Sequence, residues 1–394
     1  MKTIYTPARI PAGIWALGFV SLLMDVSSEM IHGLLPVFLV TVLGASAFTV
    51  GLIEGLAEST ALIVKVFSGM LSDYLGKRKL LAIIGYGLGA LSKPLFALAS
   101  SAGLVLAARL IDRAGKGIRG APRDALVADL TVPEIRGAAY GLRQALDTVG
   151  AFLGPLLAMG LMLLWANDFR AVFWVAIIPG LLAVALLIFG VKEPDGLKAP
   201  AQVNPLAPRS LQALPGGYWW VVAIGAILTL ARFSEAFLIL RAQQGGLPVA
   251  LAPLVLVVMN AVYAVAAYPF GKLADSMTHS TLLKCGIGVL IAADFALAYS
   301  SRSAWVWGGI ALWGLHMGMT QGLLATMVAQ AAPAELRGTA FGFFNLVSGI
   351  AMLIASALAG LLWTLLGART TFIAGAIFSG VALLALFRRM PRST

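Results

Sequence analysis

The sequence predicts an all-α membrane protein: twelve transmembrane helices in two pseudo-symmetric six-helix bundles, with both termini cytoplasmic. Three observations lead there. The 394 residues are 60% hydrophobic and 11% charged, where ordinary soluble domains carry about a quarter charged residues. Mean hydropathy is +0.93 over the whole length, which leaves no room for a sizeable soluble domain. Apolar stretches of about 20 residues, enough to cross a hydrocarbon core of about 30 Å, recur along the chain, and landmarks of the first half return in the second.

The first stretch, 14–42, follows Lys2 and Arg9 and superficially resembles a signal peptide. It is too long for one, carries Asp25 and Glu29, and has no small-residue cleavage site after it, so it is read as a retained transmembrane helix. Further stretches fall at 48–71, 80–99, 103–126, 138–165 and 171–190. The proline-rich, polar run 191–217 then interrupts them and reads as a linker. The second set lies at 218–241, 248–272, 281–299, 304–331, 339–366 and 369–388. The expected division is a bundle over 1–192, a cytoplasmic linker over 193–216 and a bundle over 217–394.

Lysine and arginine set the orientation. Lys77, Arg78 and Lys79 lie between the second and third stretches, and Arg136 between the fourth and fifth. Lys192, Lys198 and Arg209 are in the linker, and Arg388, Arg389 and Arg392 end the chain. The opposite loops hold only isolated charges such as Asp168, Arg170 and Arg302, so the basic side is expected to be cytoplasmic. The net charge of +11 therefore reads as topology and contact with anionic membrane lipids, not nucleic acid. One cysteine, Cys285, excludes an intramolecular disulfide and a thiolate cluster, and His32, His279 and His316 have no ligand spacing. No metal and no cofactor is expected.

The halves repeat each other. GMLSDYLGKRK from Gly69 is answered by GKLADSMTHS from Gly271, 202 residues on. PEIRGAAYG ending at Gly141 is answered by AELRGTAFG ending at Gly342, 201 residues on. Parallel repeats of this kind imply a pseudo-two-fold axis along the membrane normal and a cavity between the halves.

An ionisable side chain inside a membrane costs at least about 2.5–3.5 kcal/mol on insertion scales, so each one raises a functional hypothesis. The first stretch carries Asp25, Glu29 and His32 at i, i+4 and i+7, on one face, with Ser28 beside it. Carboxylates in a cleft whose water access alternates can load and release protons, and a histidine titrates near neutrality unaided. Asp25 and Glu29 are expected to carry a coupling proton with His32 assisting; the alternative is that they only neutralise nearby arginines. The second stretch adds Glu54 and Glu58, with Lys65 further on. The fourth adds Arg109, Asp112, Arg113, Lys116, Arg119 and Arg123, and the fifth Arg143 and Asp147. By simple addition the first-half charges largely cancel in pairs and leave a positive surplus on the fourth, which invites an anionic or carboxylate-bearing substrate, or a proton-relay arginine near an acid. The second half is poorer, with Arg232, Glu235, Lys284, Asp294, His316 and Gln321, and is expected to supply more of an apolar wall together with Asn260, Tyr263 and Asn345. A lone His316 on an apolar helix reads as a packing residue first. Glu58, Asp112, Arg113, Lys116, Arg143, Asp147, Arg232 and Glu235 are the expected cavity charges.

Three motifs remain: Gly69-x-x-x-Asp73-x-x-Gly76-Lys77-Arg78-Lys79, Arg113-x-x-x-Gly117, and Gly141-x8-Gly150-x3-Gly154-Pro155. Through them the whole chain resembles the major facilitator superfamily. The resemblance implies a secondary transporter working by alternating access, whose first, fourth, seventh and tenth helices line the cavity. It implies a gate at Gly69, Asp73, Gly76, Lys77 and Arg78, repeated at Gly271 and Asp275. It also implies a helix-packing motif at Gly141, Gly150, Gly154 and Pro155 of the kind associated with antiporters. Two departures stand out: Lys116 replaces a usual glutamine, and the glycine pair after Pro155 is absent, with only Gly160 nearby. Physically, Gly150 and Gly154 permit close backbone approach and Pro155 bends its helix.

The expected function is proton-coupled efflux of a small organic compound across a bacterial inner membrane by a monomer. Proton-coupled import, or export of a metal chelate or organic anion, is the rival. A sensor or enzyme of the same fold lacks any supporting motif. Gly115-x-Gly117-x-x-Gly120, with Glu134 downstream, matches a dinucleotide fingerprint literally, but that loop needs a strand before it. Here a membrane-length helix precedes it, so the glycines and Pro122 are read as thinning and bending a charged helix.

Overall fold

The computed structural model describes residues 10–193, 211–299, 303–333 and 336–387. The side chains of Asp73, Asp275 and Gln321, most of the linker, and Arg388, Arg389 and Arg392 lie outside the described residues. Among the described residues every regular element is helical. The first half contains α1 (Ala12–His32), α2 (Leu35–Thr41), α3 (Ala47–Leu75), α4 (Arg78–Ala97), α5 (Ala102–Asp129), α6 (Arg136–Leu164) and α7 (Phe169–Gly190). The second contains α8 (Gly216–Ala231), α9 (Ala236–Gln244), α10 (Leu254–Ser276), α11 (His279–Ala298), α12 (Ser303–Ala331), α13 (Arg337–Leu366) and α14 (Ala368–Phe387).

Among the described residues, ten helical stretches are long and apolar enough to cross a membrane. The stretches of α5 and α12 are not among them. For α5 the reason is its run of charges, of which the fold buries Arg109, Asp112, Arg113 and Arg119. Two predicted stretches are interrupted. The first breaks at Gly33 and Leu34, with Pro36 in the opening turn of α2, where a missing N–H costs nothing. The seventh breaks at Arg232–Glu235, between α8 and α9.

Local chemistry fixes the ends. Ser46, Ser101 and Asp168 cap α3, α5 and α7, their side-chain oxygens accepting from Thr49, Leu104, and both Arg170 and Ala171. Gly76 ends α3 with φ 61°, a left-handed conformation that favours glycine.

Within the first half α1 packs on α6 and α7, and α5 on α3 and α4; in the second, α12 packs on α10 and α11, and α14 on α8 and α11. The halves meet through α3 with α13 and α6 with α10, two contacts related by the sequence repeat. Glycines bring α3 and α13 together: a Cβ on Gly360 would lie 2.9 Å from Phe48 Cα, and one on Gly55 3.1 Å from Leu353 O. The short helices α2 and α9 also touch.

The buried residues divide unevenly. One large core runs through both halves and includes Leu34, Val37 and Phe38 from α2 and its approach, and Phe237, Leu238 and Ile239 from α9. A separate core of Ile14, Leu17, Tyr86, Leu126 and Leu187 belongs to the first half alone, at the end near the linker. The halves are thus welded on the side of α2 and α9 and have independent cores at the opposite end of the first half.

Candidate functional site

Between the halves lies a cavity of about 440 Å³. On the first-half side Asp25, Glu29 and His32 of α1 reach it, as the i, i+4, i+7 spacing requires, with Glu58 of α3 and Arg113 and Lys116 of α5. On the other side stand all four residues of the α8–α9 interruption, Arg232, Phe233, Ser234 and Glu235. Asn260 and Tyr263 of α10, Trp313 and Met317 of α12 and Met352 of α13 complete this more apolar wall. His32, at the end of α1, lies beside the break in the first half. Each half therefore presents an interrupted helix to the cavity. A second cavity of about 450 Å³ shares Tyr263 and continues past Phe270, Gly271 and Met319 to His279.

Behind the first wall is a dense ionic lattice. Arg109 grips Glu54 with two hydrogen bonds, Nε to Oε1 at 3.1 Å and Nη2 to Oε2 at 2.7 Å, both side chains nearly inaccessible. Such forked pairing is a strong form of charge-assisted hydrogen bond. Arg113 pairs with Glu58 at 3.2 Å and approaches Asp112 at 3.6 Å. Lys93 of α4, 1% exposed, donates to Asp112 at 2.7 Å and to Ser28 at 3.0 Å. Arg113 Nη2 lies 3.4 Å from His32 Nδ1. A guanidinium only donates, so Nδ1 is the acceptor of this contact.

The unpaired cavity groups are fewer. Among the described residues, Asp25, Lys116, Arg232 and Glu235 have no side-chain hydrogen bond or ion pair; Glu29 has only His32, at 3.7 Å. Glu54, Glu58 and Asp112 absorb Arg109, Arg113 and Lys93, and among the described residues Lys116 and Arg119 of α5 form no ion pair. Among the described residues, Lys116 is left as the free cation of α5 on the cavity.

Several expected cavity charges sit elsewhere. Asp112 is buried behind the wall. Arg143 and Asp147 form a separate cluster with Arg123 and Asp124: Arg143–Asp147 3.7 Å, Arg123–Asp147 3.9 Å and Arg123–Asp124 3.1 Å. They are not among the cavity-lining residues. His316 is fully buried and hydrogen-bonds Gly286 O through Nδ1 at 2.8 Å, away from the cavity, in keeping with a packing residue. Arg119 stacks over Tyr86 at 4.6 Å.

The motif residues also separate. A Cβ on Gly150 would meet Leu22 Cα at 3.0 Å and Asp25 Cβ at 3.1 Å; one on Gly154 would meet Glu29 Cβ at 2.8 Å. These two glycines of α6 therefore seat the backbone of α1 beneath its two carboxylates, and Pro155 lies within the same helix. At Gly141 and Gly271 nothing lies within 4 Å of the point a Cβ would occupy, so close packing does not explain them here. Gly69 makes only ordinary contact with Ala121 at 3.6 Å. Gly115 and Gly117 lie against α4 and α3, whereas Gly120 meets only Lys65, at 3.8 Å. In the basic turn after Gly76 and Lys77, Arg78 pairs with Asp129 and donates to Ala125 O at 3.3 Å. Lys79 donates its Nζ to Ile188 O at 2.8 Å and its backbone N–H to Glu193 at 3.0 Å.

Sequence reasoning misses Lys93, although a lysine inside an apolar stretch is itself a signal. Asp124 and the helix break at Arg232–Glu235 escape it too; the run ARFSEA, with two charges in mid-stretch, marks the latter.

A family model described as the Major Facilitator Superfamily matches residues 17–356. An MFS-type transporter of Methanocaldococcus jannaschii is 34% identical over 388 residues, covering 95% of each chain. The fold is shared with the nucleoside transporter NupG, at TM-score 0.79 and 13% identity, covering 95% of this chain and 98% of that one. It is shared also with a bacterial homolog of the human lysosomal transporter Spinster in an inward-facing, unoccupied conformation. There the TM-score is 0.74 and the identity 17%, with 96% and 97% of the two chains covered.

Proposed function

The chain belongs to the major facilitator superfamily, and from that membership we propose that it is a proton-coupled exporter of a small organic compound. The family fixes the broad class: a multi-pass membrane protein that carries out secondary transport and is not an enzyme. The finer reading is ours. The chain crosses a bacterial inner membrane twelve times, with α1–α2 and α8–α9 each making one interrupted crossing. Both termini and the linker face the cytoplasm, because Lys77, Arg78, Lys79, Arg136 and Lys192 gather on that side. The protein works as a monomer among anionic lipids, without cofactor, metal or nucleic acid. In this state the outer side is closed by α2 and α9, and the cavity continues towards the cytoplasm past Tyr263. Relative movement of the halves about the cavity then alternates access.

One observation carries the coupling. Asp25 and Glu29 line the cavity without a basic ion-pair partner other than His32, whereas Glu54, Glu58 and Asp112 beside them are locked to arginine or lysine. Locked carboxylates hold their charge; free ones in a cavity that alternates between two solutions can exchange protons. His32, accepting from Arg113, orients the site and relays less readily. Pro155, Gly150 and Gly154 hold α1 in place, and the Gly69–Arg78 turn with Gly271 and Asp275 forms the gate.

Linkage joins substrate charge to direction. A cationic group that settles on Asp25, Glu29 or Glu235 competes with protons, which gives exchange and hence efflux. An anionic group settling on Lys116 and Arg232 would bind together with protons, which gives co-transport, and the free state of those two cations keeps this second reading alive.

Ligand stabilisation of the purified protein separates the two. Organic cations should bind more tightly as pH rises, by up to about tenfold per pH unit for one displaced proton, and anions more tightly as it falls. The Asp25→Asn, Glu29→Gln double variant should flatten that slope and lose flux driven by an imposed pH gradient. Binding independent of pH in the wild type, or unaltered flux in the variant, would overturn the coupling assignment.

A further inference from the structure

One carboxyl group stands outside every role given so far. Asp294 of α11 is fully buried, and neither of its oxygens has a hydrogen-bond partner among the described residues. Both point at Gly375 of α14: a Cβ there would lie 3.0 Å from Oδ2 and 3.1 Å from Oδ1. The same point is 3.1 Å from Phe233 Cε1. Phe233 belongs to the α8–α9 interruption and to the cavity wall, and it packs on Trp313, Phe237 and Phe372 with ring centroids 5.5–5.6 Å apart. Asp294 therefore sits directly behind one aromatic layer of the cavity. Ser379, one turn beyond Gly375, is likewise buried with an unpartnered Oγ.

The charged and titratable groups on the surrounding elements do not neutralise it. His316 of α12 is engaged by Gly286 O, and Arg241 of α9 donates to Leu297 O at 2.8 Å. Lys284, on α11 itself, stacks over Phe387. Arg369 of α14 stacks over Tyr299, and Arg232 and Glu235 of the interruption line the cavity. None forms an ion pair with Asp294 among the described residues. An ionised carboxylate without a partner in apolar surroundings is so costly that the group takes a proton instead.

We propose that Asp294 is a second proton-binding site, in the half opposite Asp25 and Glu29, loaded as the neutral acid in this state and unloaded when Phe233 moves. Ionisation requires water or a cation, and Phe233 blocks the short route from the cavity. Arg232, next to Phe233 and unpaired, moves with the same interruption and is the cation positioned to receive the carboxylate afterwards. Proton occupancy in the second half is thereby tied to the conformation of its broken helix. The role in coupling rests on the transport reading; the protonation itself does not.

Infrared spectroscopy of the full chain in liposomes tests this without a substrate. At pH 7 the wild type should show a protonated-carboxyl carbonyl band that exchanges slowly in heavy water. The band should persist in the Asp25→Asn, Glu29→Gln double variant and disappear in Asp294→Asn, an isostere of the neutral acid. Phe233→Ala should let it exchange at least tenfold faster. Isotope labelling of aspartate in the wild type gives the same reading independently of how any variant folds. A spectrum without a slowly exchanging protonated aspartate, or a band unchanged in a folded Asp294→Asn protein, would overturn the proposal. Absent flux with the band intact would sink only the transport reading.

Discussion

At the scale of single residues, burial turns charge from a liability into a constraint. Lys93 and Asp112 are both nearly inaccessible and hold each other at 2.7 Å, with Ser28 as the other partner of the lysine. Removing one member of such a pair typically costs about 3–5 kcal/mol, because the survivor is left charged and unpaired. Asp112→Leu should therefore lower the thermal midpoint in detergent markedly, since Arg109 and Arg113 keep Glu54 and Glu58 while Lys93 keeps only a hydroxyl. Adding Lys93→Met should return most of the loss; a double variant no more stable than the single one would contradict a dominant pair. The residues that stay free, Asp25, Lys116, Arg232 and Glu235, line the cavity beside Glu29 and the paired Glu58 and Arg113. The sequence made the first-half charges conspicuous by their spacing. Which of them cancel was set by contacts between residues 19 to 55 positions apart, beyond the reach of any helical pattern.

At the scale of helices, glycine decides where backbones approach. Gly154 seats α6 against α1 at Glu29, while Gly160 on the same helix has open space at the Cβ position. Alanine in a helix interior is intrinsically favoured over glycine by about 1 kcal/mol. Gly160→Ala should thus leave stability unchanged or raise it, whereas Gly154→Ala should lower it by about 1–3 kcal/mol through overpacking. Chemical or thermal unfolding of the two side by side checks the sign, and equal effects would remove the packing role from Gly154. Helix extents were legible in the sequence to within a few residues for almost every stretch, because apolar runs and caps are local. The interruption at Gly33–Leu34 was not, since an apolar run continues across it, and at Arg232–Glu235 the two charges in mid-stretch were the one local sign of a break.

At the scale of the whole molecule, two halves with one shared core and one separate core make an asymmetric clamp. Gly33, at the break in the first half, and Pro253, at the start of α10, face each other across the closed side: a Cβ on Gly33 would lie 3.1 Å from Pro253 Cβ. Cysteines at these positions, in a chain with Cys285→Ser, should cross-link once the two backbones ease apart by about half an ångström, since disulfides need Cβ atoms about 3.5–4.5 Å apart. Oxidation should abolish transport and reduction should restore it, with the cavity still reachable by reagents from the linker side. Full cross-linking with undiminished transport would mean that the closed side does not open during the cycle.

By itself the sequence determined the class, most of the apolar helical stretches, the repeat and the family. Those follow from composition, from runs of about 20 apolar residues and from motifs a few residues long, all of which survive in one dimension. Only the tertiary structure decided which charges are neutralised, which helices break at the cavity, which side is sealed, and that Asp294 lies alone behind Phe233 among the described residues. The reason is physical. A charge in a low-dielectric interior is governed by whatever lies within a few ångströms of it, and in this chain those neighbours come from other helices.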